Sequence, residues 1–222
     1  MKIINFKSKP KNNFFSPEWN YFIAENFIKN VNFDNLSTFL LNQENKILNL
    51  PITKNKNKVF DGSTGLGEKS TTSRSKEYNV LFWDNTEINL IKNNILECHN
   101  LFLKFLNLPL PNELYIQCWV NIMRKGEQIK PHIHGVHPDT YLGGHICVQV
   151  QNTSTFYINP INQIQEPEIY SSKNEIGKIT LFQNNIPHYT DMHNSEKERI
   201  TLAFDLRVKI YNNENNHYLK LI

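Results

Sequence analysis

Gly126-Glu127-Gln128-Ile129-Lys130-Pro131-His132-Ile133-His134 is the stretch on which the reading of this chain turns. Side chains on an extended strand alternate between faces, so His132 and His134 would point the same way with Cα atoms roughly 6.5–7 Å apart. Imidazole nitrogens bind a metal such as zinc at about 2.0–2.1 Å, so two such side chains can converge on one ion. They cannot fill its coordination sphere. A third ligand has to come from elsewhere, and His188 ends Phe182-Gln183-Asn184-Asn185-Ile186-Pro187-His188, just beyond the apolar run Ile179-Thr180-Leu181-Phe182.

Short alternating or apolar runs follow one another from Leu114 onward. Leu114–Met123, Ile129–His134, His145–Val150, Thr155–Ile158, Lys178–Phe182 and Arg199–Ile210 all read as strands, with Lys125-Gly126 and Asn184-Asn185 as turn signals. Strands at such spacing predict a sandwich or barrel. The first half has a different texture. Phe33 to Leu41 and Ile88 to Leu106 read as helices, the second carrying an apolar stripe through Ile88, Ile91, Ile95, Leu96, Cys98, Phe102 and Phe105. Leu108-Pro109-Leu110-Pro111 then breaks it. Ser16-Pro17-Glu18 has the form of a helix opening, although Trp19 to Phe27 is aromatic enough to suit helix or strand. The expected organisation is a helical and loop region over residues 1–112 packed on a β core over 113–222, as one structural unit.

With 222 residues the chain can bury a core without disulfide or metal. Cys98, Cys118 and Cys147 are few, odd in number and widely spaced, which fits buried free thiols in a reducing, cytoplasmic setting. Lys+Arg 24 against Asp+Glu 21 leaves a formal charge of +3, too small to imply a nucleic-acid or membrane partner. Lys54, Lys56 and Lys58 read as a solvated loop. Met1 to Lys11 has no continuous apolar segment, so neither a secretory signal nor a transmembrane helix is expected.

The order and spacing of the downstream residues are specific. A long interval separates His132 from His188, a short one leads on to Arg199, and Thr201 stands two positions beyond it. From Tyr115 to Phe204 this resembles the 2-oxoglutarate-dependent Fe(II) oxygenases, in particular their prolyl-hydroxylase-like branch. The resemblance implies a double-stranded β-helix, or jelly roll, and an enzyme with Fe(II) and 2-oxoglutarate as cofactors. It would couple decarboxylation of the 2-oxo acid to hydroxylation of a small-molecule or protein substrate. It also implies that Arg199 and Thr201 hold the far carboxylate of 2-oxoglutarate. Arginine suits that role because its planar fork donates two parallel hydrogen bonds and stays charged when desolvated.

The chain departs from the family pattern at the acid, because His134 stands where Asp or Glu is usual. Three ligand sets are open: His132, His134 and His188 together; His132 and His188 with water; or the literal His-x-Asp string His137-Pro138-Asp139 with His188. Proline in that string suits a loop better than a paired strand. Asn121, Tyr141 and His145 are possible cavity contacts, as is Trp119, while His99, His193 and His217 read as solvated. Gly62-Ser63-Thr64-Gly65-Leu66-Gly67-Glu68-Lys69-Ser70 nearly spells a phosphate-binding loop, but Glu68 interrupts the required Gly-Lys-Ser. A loop over the site is the better reading; Arg74 and Lys76 could then attract an acidic substrate, but a solvated loop is the preferred reading for them. Two other classes remain: a cupin-like three-histidine dioxygenase that does not use 2-oxoglutarate, and a non-enzymatic jelly-roll binding module.

Overall fold

A computed structural model describes residues 1–8, 15, 17–52, 54–55, 58–135, 141–161, 168–210 and 217–222. His137, Pro138 and Asp139 lie outside the described residues, as do Ser16, Lys56 and Asn212–Asn216. In chain order the elements are β1 (Lys2–Lys7), β2 (Asn20–Phe27), α1 (Phe33–Leu48), β3 (Lys54–Asn55), β4 (Lys58–Val59), two 3-10 turns (Thr71–Arg74 and Val80–Phe82) and α2 (Thr86–Phe105). Then come β5 (Tyr115–Met123), β6 (Leu142–Gln149), β7 (Ser154–Ile158), β8 (Ile169–Lys173), β9 (Lys178–Gln183), β10 (His188–Thr190), β11 (Arg199–Arg207) and β12 (Leu219–Lys220).

Seven strands form the major sheet, in the order β1-β2-β9-β6-β11-β5-β12, and β10-β7-β8 form the minor one. All the pairings are antiparallel. This is the jelly-roll arrangement with helices added before it, mostly β as expected. Strand parity divides the major sheet into two faces. On one, Ile116, Cys118, Val120, Ile122, Ile146, Ile179, Leu181, Leu202, Phe204 and Leu206 join a core with Leu36 and Leu40 of α1 and Ile88, Ile91, Ile95 and Phe102 of α2. On the other, Trp119, Asn121, His145, Arg199, Thr201 and Ala203 line a cleft. The inter-sheet cluster of Phe6, Ile23, Tyr157, Phe182 and Ile186 closes one side of it.

Local chemistry accounts for both helices. Asn32 caps α1 by accepting from the Asn35 amide at 3.0 Å, and Asn85 caps α2 by accepting from the Glu87 and Ile88 amides. Acidic residues sit in the first turns and lysines in the last, complementing the helix dipole. Neither helix is long and apolar enough to cross a membrane among the described residues.

Three expectations need correction. Residues 17–27 hold no helix: Asn20–Phe27 is a strand, so the region 1–112 is more than helix and loop and extends the major sheet by β1 and β2. Ile129–His134 is not a regular strand. Its amides bond in turn to Thr190 Oγ1, the Thr64 carbonyl, the His188 carbonyl and the Asn184 carbonyl, and Pro131 has no amide to offer. A single bridge between His132 and His188, with reciprocal bonds of 3.1 and 3.0 Å, is its only ladder contact among the described residues. His99 and His193 are both fully buried, not solvated: His99 Nε2 meets Tyr141 Oη at 2.8 Å, and His193 Nε2 meets the Lys197 carbonyl at 2.7 Å. The three cysteines are buried and free, as expected.

Candidate metal centre and cosubstrate cleft

The bridge between His132 and His188 brings together side chains that are distant in the sequence, and His134 joins them from the same connection as His132. The ring centroids are 4.3 Å apart for His132 and His188, 5.0 Å for His134 and His188, and 5.6 Å for His132 and His134. The candidate ligand atoms all lie within 4.8 Å of one another. Small side-chain rotations would bring that separation to the one set by metal–nitrogen bonds of about 2.1 Å.

Each ring is oriented by its other nitrogen. His132 Nδ1 is 2.9 Å from the Lys130 carbonyl and His188 Nδ1 is 3.0 Å from the Ile186 carbonyl. A carbonyl can only accept, so Nδ1 carries the proton in both and Nε2 presents its lone pair. His134 Nδ1 is 2.6 Å from Asp205 Oδ1, the same arrangement with a carboxylate as the acceptor. Metal-binding histidines are typically oriented in this way. Burial, reinforced by His134, lowers the His132 pKa to about 4, and burial with His132 beside it puts His188 well below the ordinary value. Both are therefore neutral at physiological pH, which is the form that ligates.

Behind the histidines is a narrow cleft of about 40 Å³, lined by Asn121, His145, Thr155, Thr190, Arg199 and Thr201 among others. Arg199 is 2% exposed. Its Nη1 reaches Met123 Sδ at 3.3 Å, its Nε has no partner, and no carboxylate of the described residues forms an ion pair with it. Burial lowers its pKa from the usual arginine value, yet a guanidinium starts too high to lose its proton. A buried, unneutralised cation is costly unless an anion meets it.

The expected cavity contacts divide. Asn121 lies opposite Thr201 on β5, lines the cleft, and its Oδ1 accepts from Thr72 Oγ1 at 2.6 Å. His145 also lines it; burial and the nearby Arg199 lower its pKa to about 3. Trp119 borders both this cleft and a second cavity. Tyr141 does not border the cleft: its hydroxyl is bonded to His99 on α2, on the other side of the sheet. The glycine-rich segment does lie over the site, with the Thr64 carbonyl bonded to the Lys130 amide and Thr71 Oγ1 to the Val120 carbonyl. Arg74 is not available to a substrate, because its guanidinium turns inward onto the Glu68, Ser70 and Leu48 carbonyls. No strand-to-helix phosphate loop forms there; a 3-10 turn follows Ser70.

Asp205 was not among the expected site residues. Its signal in the sequence was parity alone: it follows Arg199 and Thr201 at even spacing on β11, on the same face.

Comparison with known proteins agrees with this geometry. Residues 117–205 match the family described as "Putative 2OG-Fe(II) oxygenase". No curated protein matches the sequence. Among solved structures, the viral collagen prolyl hydroxylase of Paramecium Bursaria Chlorella virus-1, in its 2OG complex, is 11% identical and aligns over 83% of this chain and 95% of its own, with TM-score 0.53. A Pseudomonas putida prolyl-4-hydroxylase is 9% identical over 83% of this chain and 91% of its own, with TM-score 0.50. A 2OG-Fe(II) oxygenase family oxidoreductase from Burkholderia pseudomallei is 16% identical over 57% of this chain and 61% of its own, with TM-score 0.43, so this chain spans under two thirds of that protein. The span that matches this family, residues 117–205, holds the three histidines, Arg199 and Asp205.

Proposed function

We propose that this protein hydroxylates an organic substrate, holding Fe(II) through His132, His134 and His188 and 2-oxoglutarate through Arg199 and Thr201. The observation that carries the reading is the buried, unpaired Arg199 guanidinium in the cleft behind three imidazoles whose Nδ1 atoms are all engaged. A donor set of three imidazole nitrogens suits a first-row divalent ion and leaves coordination positions open for a chelating 2-oxo acid. A dicarboxylate fits the cleft chemically, because one end would neutralise Arg199 and accept from the Thr201 hydroxyl. The cleft is tight for a five-carbon diacid, and Arg199, one of its walls, makes a weak N–H···S contact with Met123.

Fe(II) with bound 2-oxoglutarate supplies the oxidising chemistry, in which dioxygen is consumed, the 2-oxo acid loses carbon dioxide and a substrate C–H bond is oxidised. The side chains supply the rest. His132 and His188 keep their Nε2 lone pairs directed by backbone carbonyls, and Asp205 does the same for His134 while adding a negative charge. That charge offsets the loss of the carboxylate ligand usual at position 134. Phe182, 4.5 Å from His188 between ring centroids, and Trp119 keep the walls apolar, which strengthens the charged contacts inside.

The test is anaerobic addition of Fe(II) and 2-oxoglutarate, monitored for the weak visible charge-transfer band of a chelated 2-oxo acid. The expected result is a band abolished in His188→Ala and shifted to much higher 2-oxoglutarate concentration in Arg199→Gln. Iron binding without a band at saturating 2-oxoglutarate would overturn the reading in favour of a three-histidine dioxygenase or a binding module.

A further inference from the structure

One face of α2 is turned into the core, through Ile88, Ile91, Ile95, Cys98 and Phe102. The other carries a groove lined by Asn93, Leu96, Glu97, Asn100, Leu101 and Lys104. Apolar groups stand open to water along it: Leu101 is 39% exposed and Phe105, one turn further on, 63%. Asn107, in the left-handed conformation, then closes the helix and returns the Leu108 amide to the Leu103 carbonyl at 3.0 Å, with the Leu108 side chain also exposed. A neighbouring hollow shares Glu97 and Leu101 with the groove and adds the exposed Met1 and Phe27. Apolar surface gathered in this way marks an interaction site.

The charges on this face identify its occupant. Glu97 and Lys104 are the two charged residues that line the groove. They stand two turns apart, about 10.5 Å along the axis, too far to neutralise each other. Neither forms an ion pair among the described residues. Their arrangement is symmetric about the midpoint between Asn100 and Leu101. Two copies of the helix laid antiparallel across that midpoint would set each Glu97 against Lys104 of the other copy and each Leu96 against Phe105, with the two Leu101 side chains meeting at the centre. A two-fold interface requires a surface that is its own complement in this sense.

We infer that this protein pairs with a second copy of itself through α2, the helices antiparallel about a two-fold axis beside Leu101. α2 lies across the major sheet from the histidines, so pairing leaves both clefts open. The facing turns of one helix pair offer less than the roughly 1,600 Å² of a standard interface. Dimer and monomer should therefore exchange in the micromolar range.

The experiment is sedimentation equilibrium of the full chain across that range, the monomer having a mass of 26.1 kDa and the dimer twice that. The expected result is a reversible monomer–dimer equilibrium. Glu97→Lys and Lys104→Glu should each raise its Kd at least tenfold, because each sets two like-charge pairs across the axis. Mixed in equal amounts, the two variants should associate within threefold of the wild-type Kd, since each supplies the charge that the other lacks. Leu101→Asp should abolish pairing over the same range. All three positions are exposed, so circular-dichroism melting of the dilute monomers should match that of the wild type. A wild type that stays monomeric at high micromolar concentration, a dimer that neither charge reversal weakens, or a mixture no tighter than its components overturns the inference.

Discussion

Replacing Asp205 by asparagine changes one charge and almost no shape, and the expected result is weaker metal binding with an intact fold. Asparagine can still accept from His134 Nδ1 through its Oδ1, so the ring keeps its tautomer and direction. What is lost is the ionic part of a 2.6 Å hydrogen bond. Hydrogen bonds to charged groups contribute roughly 1.5–3 kcal/mol. The Asp205 side chain is 23% exposed and that of His134 7%, so solvent screens part of the interaction. The lower part of that range, about 1.5–2 kcal/mol, corresponds to roughly ten- to thirtyfold in the dissociation constant, which agrees with the effect typical of partners that orient metal ligands. Anaerobic competition between the protein and a chelator for Co(II), followed by the visible cobalt spectrum, measures this without turnover. Asp205→Leu, which removes the acceptor altogether, should cost more and alter the cobalt band, since His134 can then adopt either tautomer. An Asp205→Asn affinity within twofold of the wild type would refute the reasoning and remove His134 from the ligand set.

Arg199→Gln should raise the KM for 2-oxoglutarate at least a hundredfold, in line with the roughly 2–5 kcal/mol lost when one member of a buried charge pair is truncated; steady-state succinate formation measures it. In the metal-free protein, His145 has its pKa lowered to about 3 by burial and by Arg199, whereas an unfolded histidine titrates near 6.5. Between those values the unfolded chain binds more protons, so stability falls as pH drops below about 6.5, with His145 accounting for roughly 2 kcal/mol at pH 5. Urea unfolding at pH 7 and 5 should show a smaller fall for His145→Asn. A Cβ added at Gly143 would lie 2.7 Å from both His134 Nδ1 and Asn184 Oδ1, so Gly143→Ala should displace the imidazole and weaken Co(II) binding. At Gly144 it would meet the Phe204 ring, and the Thr180 carbonyl at 2.7 Å. Gly144→Ala should therefore lower stability by about 1–3 kcal/mol in the same denaturation experiment.

The sequence shows the histidines and Arg199 because their spacing is itself a pattern, and it shows β5, β6, β7, β9 and β11 because alternation is local to each strand. It hides what depends on distant partners. Trp19 to Phe27 has no strand signature of its own, since its assignment comes from pairing with Lys178–Phe182, which both helices and four strands of the core separate from it along the chain. The histidine-bearing connection looks like a strand by alternation, but Pro131 and its changing partners prevent a ladder. His99 and His193 read as polar surface because their partners, the Tyr141 hydroxyl and the Lys197 carbonyl, are supplied by the fold. Asp205 is 71 residues from His134, and only the folded register shows that the carboxylate missing from position 134 stands directly behind it.

The common parity of Arg199, Thr201, Ala203, Asp205 and Arg207 limits how this protein can diversify. Inserting or deleting one residue within β11 would turn every later side chain to the opposite face of the sheet. A change after Ala203 would leave Arg199 in place but turn Asp205 away from His134. Descendants of this chain can thus alter that strand by exchange of side chains but not by changes in its length. In the 61–76 segment, residues 70–75 are buried and bonded to the sheet, so lengthening and shortening would be tolerated at the exposed turn of Glu68 and Lys69.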